Sequence, residues 1–185
     1  MIKEKAKAPL FKLPSTGKND FNLKDALGNY IVIYFYPKDD TPGCTLETND
    51  FNKLLPKFNK LKCKVLGISK DNIKSHQKFK KKFKIKFDLL SDEKIDVIKK
   101  YKVWGKKKFM GREFMGVIRS TFFIDKKGKV LKIFPFLSIK KVDLIIPINS
   151  LPINFFFPQT LYFLITSIFS SDKRSNFILN FFLNL

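Results

Sequence analysis

The sequence predicts an α/β sandwich, in which helices cover the faces of a central β-sheet. Apolar runs with the length of strands alternate with stretches whose apolar residues recur at helical spacing. Turn-forming residues separate them. The predicted strands are 30–36, 63–69, 86–90, 120–125 and 129–133, and the predicted helices are 43–61, 72–84 and 92–102.

The first strand and helix form the most informative part of the chain. Residues 30–36 are apolar and partly β-branched, which predicts a buried strand, and the strand ends at Pro37. After a turn-rich segment, helix 43–61 carries its apolar residues at helical spacing. Cys44 should therefore lie in the first turn of a helix that follows a strand.

The later elements are predicted from shorter patterns. Strand 63–69 begins at Cys63, where a cysteine usually behaves as a small buried apolar residue. In helix 72–84 phenylalanines recur every four residues, as a buried face does. Residues 104–118 read as a loop rich in Gly and Lys, and residues 125–128 as a hairpin turn.

The position of Cys44 favours a reactive thiol. An ordinary cysteine has a pKa of about 8.5, and the free N–H groups at a helix N-terminus favour the thiolate. Thr41 can place its hydroxyl beside the sulfur, and Pro37, which has no N–H, can shield it from water. The alternatives are a structural cysteine and, for Thr41, a turn or helix-capping role.

A reactive thiolate also needs a cation nearby, and Arg119 is the best candidate. It precedes the apolar strand 120–125, and its fork of N–H donors can hold both a thiolate and an oxygen substrate. Alone, Arg119 would more often be a surface charge. Glu47 could be a capping carboxylate and not a site residue.

The chain resembles a peroxiredoxin of the bacterioferritin comigratory protein (peroxiredoxin Q) subfamily. Pro37, Thr41 and Cys44 match the family motif P-x-x-x-T-x-x-C. Other matching strings follow in family order over about residues 3–133: Ala8-Pro9, Leu66-Gly67-Ile68-Ser69, Leu89-Leu90-Ser91-Asp92, Val103-Trp104-Gly105 and Arg119-Ser120-Thr121-Phe122-Phe123-Ile124-Asp125.

The resemblance implies a thioredoxin-like fold and a thiol peroxidase that acts on hydrogen peroxide and organic hydroperoxides. Cys44 would be the peroxidatic cysteine, becoming a sulfenic acid that thioredoxin or another thiol reduces. Thr41, Arg119 and backbone N–H groups would hold the peroxide, and Pro37 would shield the pocket. No cofactor or metal is expected, and the subfamily favours a monomer.

The chain departs from its subfamily in the resolving cysteine. Asn49 stands where many members carry it, and residues 73–84, where others do, contain none. The only other thiol is Cys63, whose predicted strand position disfavours a resolving role. We therefore expect a one-cysteine mechanism, in which an external thiol attacks the Cys44 sulfenic acid.

Other functions stay open at this point. Cys44 could serve a peroxide-sensing relay protein that is oxidised without efficient turnover. A thioredoxin-type disulfide reductase is disfavoured because the chain has no C-x-x-C. A truncated, poorly folding product is a further alternative.

The charge of the chain is strongly basic, at +21, and residues 1–133 carry 33 of the 37 Lys and Arg. This balance permits attraction to nucleic acid or anionic membranes. However, Lys, Asn, Ile and Phe have A/T-rich codons, so base composition explains the lysines without a specific nucleic-acid partner. His76, the only histidine, is expected at a surface helix position and not in a metal site.

Residues 1–133 are predicted to form the peroxiredoxin domain and residues 134–185 an atypical apolar tail. The tail holds ten of the 22 Phe and has no sustained helical or strand period. We interpret it as out-of-frame sequence after a frameshift near codon 133. The alternative is a membrane-associating tail, although prolines within residues 151–169 argue against a stable span.

The expected compartment is a reducing cytoplasm. Two cysteines give no disulfide framework, and Cys44 must start reduced. The N-terminal residues lack the apolar segment of a signal peptide.

Overall fold

The computed structural model describes residues 2–109 and 111–135. The strands are β1 (Lys12–Leu13), β2 (Phe21–Asn22), β3 (Tyr30–Phe35), β4 (Cys63–Ser69), β5 (Asp88–Ser91), β6 (Trp104–Phe109), β7 (Arg112–Val117), β8 (Ser120–Ile124) and β9 (Val130–Pro135). The helices are α1 (Leu23–Ala26), α2 (Pro42–Lys60), α3 (Ile73–Lys82) and α4 (Asp96–Lys100).

The central sheet has five strands in the order β5-β4-β3-β8-β9. Strands β3, β4 and β5 run parallel, whereas β8 is antiparallel to both β3 and β9. The register pairs Phe35, the last residue of β3, with Ser120, the first residue of β8. The carboxyl end of β3 and the amino end of β8 therefore meet at one edge of the sheet.

Strand β3 is buried on both faces, which explains its continuous apolar run. Ile31, Ile33 and Phe35 belong to the main apolar core. On the other face, the ring of Tyr34 stacks on Phe51 of α2, with ring centroids 4.6 Å apart. Helices α2 and α3 pack against β4 and β5 respectively. The predicted α/β class with a helix-flanked central sheet is confirmed.

Most predicted elements agree with the structure to within two residues at each end. Strands β1 and β2 and helix α1 were not predicted, because segments of two to four residues are too short to show a period.

The prediction of a loop over residues 104–118 is wrong. Strands β6 and β7 form an antiparallel hairpin, which pairs Trp104 with Val117. Its turn contains Gly111, whose φ of +78° suits glycine. Most of its described side chains lie at least partly in solvent, so the sequence lacks the apolar alternation that marks a half-buried strand.

Helix α4 is shorter than the predicted span 92–102. Ile95 adopts a left-handed φ of 54°, so the helical backbone begins only at Asp96. The carboxylate of Asp92 accepts hydrogen bonds from the backbone N–H groups of Asp96 and Ile98, at 3.0 and 2.7 Å. The first four predicted helical residues, 92–95, form a turn and a cap instead.

The predictions for the tail fall on residues that lie almost wholly outside the described part of the chain. Residues 134 and 135 complete β9, and the frameshift and membrane interpretations stay predictions. Within residues 2–109 and 111–135, no helix is both long enough and apolar enough to span a bilayer.

Candidate active site

Cys44 lies in the first turn of α2, as predicted. The helix begins at Pro42, whose missing N–H costs nothing at that position, and Thr41 is the residue that precedes it. Only 1% of the Cys44 surface is exposed. The sulfur therefore combines a helix N-terminus, which favours negative charge, with almost complete burial.

Arg119 meets Cys44 across the edge of the sheet. Its Nη2 donates a hydrogen bond to the Cys44 Sγ at 3.1 Å. The contact follows from the register, because Arg119 directly precedes the residue of β8 that pairs with the end of β3. A fixed positive charge thus faces the sulfur from a second element.

Glu47 completes the cluster, one helical turn after Cys44. Its carboxylate accepts a hydrogen bond from Nη1 of Arg119, so Arg119 bridges the sulfur and the carboxylate. Burial raises the pKa of Glu47 to about 7, although the Arg119 guanidinium favours the ionised form. The alternative that Glu47 is a capping carboxylate and not a site residue is wrong, because its carboxylate binds Arg119. Its spacing of three residues from Cys44 places both on one helix face, which the sequence could have shown.

Replacing Glu47 with glutamine should change how stability depends on pH. The raised pKa means that folded Glu47 keeps a proton that the unfolded chain has lost. The resulting stabilisation is complete below the unfolded value of about 4.5 and is lost as the pH rises through about 7. Between about pH 5 and pH 8, the wild type should therefore lose at least about 1 kcal/mol more than Glu47→Gln.

Urea unfolding of both proteins at the two pH values measures this difference. The glutamine keeps an oxygen that can accept from Arg119, so the comparison isolates the titration. Equal losses in the two proteins would contradict the assignment.

Thr41 and Pro37 lie on the segment that leads into α2. The Thr41 hydroxyl donates to the backbone carbonyl of Lys38 at 3.2 Å, and it does not cap the helix. Pro37 is half-buried directly after Tyr36. The proposed roles of Thr41 in holding peroxide and of Pro37 in shielding the thiol stay predictions.

The comparison with known families agrees with this geometry. Residues 5–133 match the AhpC/TSA family. The chain belongs to this family. The match covers the described strands and helices except the last two residues of β9.

Curated relatives of this AhpC/TSA chain are peroxiredoxins. Peroxiredoxin Bcp of Bacillus subtilis is 44% identical over 126 residues, which cover 68% of this chain and 80% of the relative. Peroxiredoxin Bcp of Escherichia coli is 39% identical over 127 residues, which cover 69% of this chain and 81% of the relative.

Solved structures of peroxiredoxins share the fold. The bacterioferritin comigratory protein of Xanthomonas campestris superposes with a TM-score of 0.65 at 37% identity, over 73% of this chain and 87% of that one. BcpB of Mycobacterium tuberculosis gives a TM-score of 0.65 at 32% identity, over 73% and 86%. The expected thioredoxin-like fold and Bcp/peroxiredoxin Q relationship are confirmed.

Cys63 lies far from Cys44 in this peroxiredoxin. It pairs with Tyr30 at the start of β3, whereas Cys44 follows the end of that strand. Five strand steps of about 3.3 Å separate the two ends by roughly 17 Å, and a disulfide needs Cα atoms within about 7 Å. Both cysteines are free, and burial raises the pKa of Cys63 to about 12.

His76 is not at the surface, so that prediction is wrong. It is fully buried on the face of α3 that also carries Phe79. Its Nδ1 lies 2.9 Å from a carboxylate oxygen of Asp39, and its Nε2 lies 3.2 Å from the carbonyl oxygen of Leu90. Asp39 comes from a loop that is distant in the sequence. The lysine-rich sequence around His76 therefore gave no indication that this histidine has a buried partner.

Lys107 is a further residue that the sequence did not indicate. It lies on β6 and donates to the carbonyl of Val117 at 3.2 Å. Partial burial and the Arg119 charge lower its pKa, while the charge of Cys44 opposes the shift. Lys107 adds positive potential near the sulfur, and the loop interpretation of residues 104–118 concealed it.

Proposed function

We propose that this peroxiredoxin is a thiol-dependent peroxidase that reduces hydrogen peroxide and organic hydroperoxides through a sulfenic acid on Cys44. The observation that carries the proposal is the 3.1 Å hydrogen bond from Arg119 to Cys44 Sγ at the start of α2. The bacterioferritin comigratory protein of Xanthomonas campestris has alkyl peroxide reduction activity, which supports organic hydroperoxides as a substrate class.

The first step oxidises the sulfur. The Cys44 thiolate attacks one peroxide oxygen, an S–O bond forms, and the O–O bond breaks. The second oxygen leaves with the bonding electron pair and takes a proton, so that water or an alcohol is released. Arg119 and the free N–H groups at the start of α2 stabilise the charge that develops on the oxygens.

The remaining residues shape the peroxide pocket. We assign Thr41 to hold the peroxide through its hydroxyl, which now donates to the Lys38 carbonyl and is near the helix start. Pro37 limits access of water because it has no N–H to bind it. Glu47 holds the Arg119 guanidinium from its far side.

The second step restores the thiol with external reductant. One thiol attacks the Cys44 sulfenic acid, a mixed disulfide forms and water leaves; a second thiol then releases Cys44 as the thiol. We propose thioredoxin or another small thiol as the reductant. The one-cysteine scheme is supported by the distant position of Cys63 on β4.

Replacing Cys63 with serine should leave turnover with small thiols within about twofold of the wild type. The wild-type protein should also form no internal disulfide after peroxide treatment, because the two cysteines lie at opposite ends of β3. Peptide mapping under non-reducing conditions tests this. A near-stoichiometric Cys44–Cys63 disulfide would require a two-cysteine mechanism instead.

Peroxide consumption tests the proposed function. Reduced protein is mixed with hydrogen peroxide, and turnover is followed with thioredoxin plus its reductase and, separately, with dithiothreitol. Many turnovers per Cys44 support the peroxidase. Oxidation of one equivalent without turnover in either assay would instead support a peroxide-sensing protein.

We further propose that the enzyme is a monomer and that it works in a reducing cytoplasm. Its proposed role is antioxidant defence. Both cysteines are free thiols, and the first step needs Cys44 reduced.

A further inference from the structure

A buried polar network joins the loop before Cys44 to helix α3. His76 is fully buried and Asp39 is 6% exposed. The carboxylate of Asp39 accepts hydrogen bonds from the Tyr36 hydroxyl at 2.7 Å and from the Ser75 hydroxyl at 2.7 Å, and its Oδ2 lies 2.9 Å from His76 Nδ1. This network lies outside the Cys44, Arg119 and Glu47 cluster.

The partners of His76 fix the orientation of its ring. Its Nδ1 faces the Asp39 carboxylate at 2.9 Å and the Tyr36 hydroxyl at 3.3 Å, and its Nε2 faces the carbonyl of Leu90 at 3.2 Å. Both ring nitrogens therefore have buried polar partners. Burial raises the pKa of Asp39, but its interactions with His76 and the hydrogen bonds from Tyr36 and Ser75 together hold the pKa below its ordinary value.

The same loop is held from a second side. The backbone N–H of Asp39 donates to Asp71 Oδ2 at 2.9 Å, and the Ser69 hydroxyl donates to the same oxygen at 2.6 Å. Asp71 lies just after β4 and Ser75 lies on α3. Two elements of the scaffold thus fix Asp39, which is two residues before Thr41 and five before Cys44.

This restraint bears on both steps of the reaction. Oxidation needs Cys44 in contact with Arg119, as it is here. Reduction needs an external thiol to reach a sulfur that is 1% exposed, so the first turn of α2 must open. A group that holds the loop closed will favour the first step and oppose the second.

We propose that His76 is a positioning residue of this enzyme: by holding Asp39, its ring keeps residues 37–41 and the first turn of α2 closed over Cys44. The inference rests on the proposed peroxidase function and adds a residue that does not touch the sulfur. Hydrogen bonds to a carboxylate in a buried site are strong enough for this role.

The test separates the two half-reactions. Stopped-flow measurements follow oxidation of reduced protein by hydrogen peroxide and, separately, reduction of the Cys44 sulfenic acid by dithiothreitol. His76→Leu removes both hydrogen bonds of the ring. We expect its oxidation to be at least about tenfold slower and its reduction several-fold faster than in the wild type.

Two further variants define the cause. His76→Asn keeps a donor near the position of Nδ1 and should recover part of the oxidation rate. Gln77→Ala changes an exposed residue of the same helix and should match the wild type in both steps. Should His76→Leu fail to fold, Asp71→Ala loosens the same loop from its other side and should shift the two rates in the same opposite directions.

The outcomes distinguish the two proposals. If wild-type Cys44 is not oxidised by peroxide, the proposed function fails. If the wild type is active and the folded variants change both rates in the same direction, or neither, the positioning role of His76 is overturned.

Discussion

Cys44→Ser should abolish peroxide consumption while leaving the fold intact. Serine has nearly the same size, and its hydroxyl cannot form a sulfenic acid or react with peroxide at a useful rate. Arg119 and Glu47 remain in place in this variant and keep each other paired. The expected loss is complete, so the assay background sets the measured limit.

The measurement needs a matched cysteine control. Wild type, Cys44→Ser and Cys63→Ser are compared in the same coupled assay, and circular dichroism checks that each protein is folded. If Cys44→Ser turned over peroxide above background and Cys63→Ser did not, Cys63 would be the peroxidatic cysteine instead.

Arg119→Ala should slow oxidation of Cys44 by roughly 30- to 1,000-fold. The variant removes the only side chain that the structure places in hydrogen-bond contact with Sγ in the described residues. Loss of one preorganised charge stabiliser typically costs about 2–4 kcal/mol in the transition state. The variant also leaves the buried Glu47 without its cation, so its stability must be measured beside its rate.

Arg119→Lys separates charge from geometry. An ammonium restores the positive charge but cannot donate to Cys44 and Glu47 at once through a planar fork. Lysine should therefore recover only part of the lost rate. An alanine variant that is oxidised as fast as the wild type would place Arg119 outside the reacting site.

The sequence predicted the elements whose patterns are long. Strand β3 and helix α2 have continuous or periodic apolar residues, and their junction placed Cys44 correctly. Arg119 was predicted from charge and chain position, and the antiparallel register of β3 and β8 is the physical reason that it reaches the sulfur. The roles of Thr41 and Pro37 stay predictions.

The missed features depend on contacts between distant segments. His76 can be buried because its ring has a polar partner, Asp39. That partner comes from a loop 37 positions earlier in the chain, so the sequence around His76 does not show it. The partner of buried Glu47 is Arg119, which lies 72 positions later in the chain. The β6–β7 hairpin is held by pairing of its backbone, and most of its side chains are exposed. Its sequence therefore has no apolar alternation from which the strands could be predicted.

The distance between the two cysteines has a consequence for how the protein would fail. Because Cys63 begins β4 beside the start of β3, an oxidised Cys44 would have no neighbouring thiol with which to form a disulfide. In the proposed mechanism, the sulfenic acid would persist until a reductant reacts with it, and a second peroxide molecule would compete for it in that interval. Its product is a sulfinic acid, which ordinary thiols do not reverse. When the concentration of peroxide exceeds that of reducing thiols, each protein molecule would be inactivated irreversibly by this second oxidation. The active lifetime of the protein would therefore depend on the supply of reducing thiols.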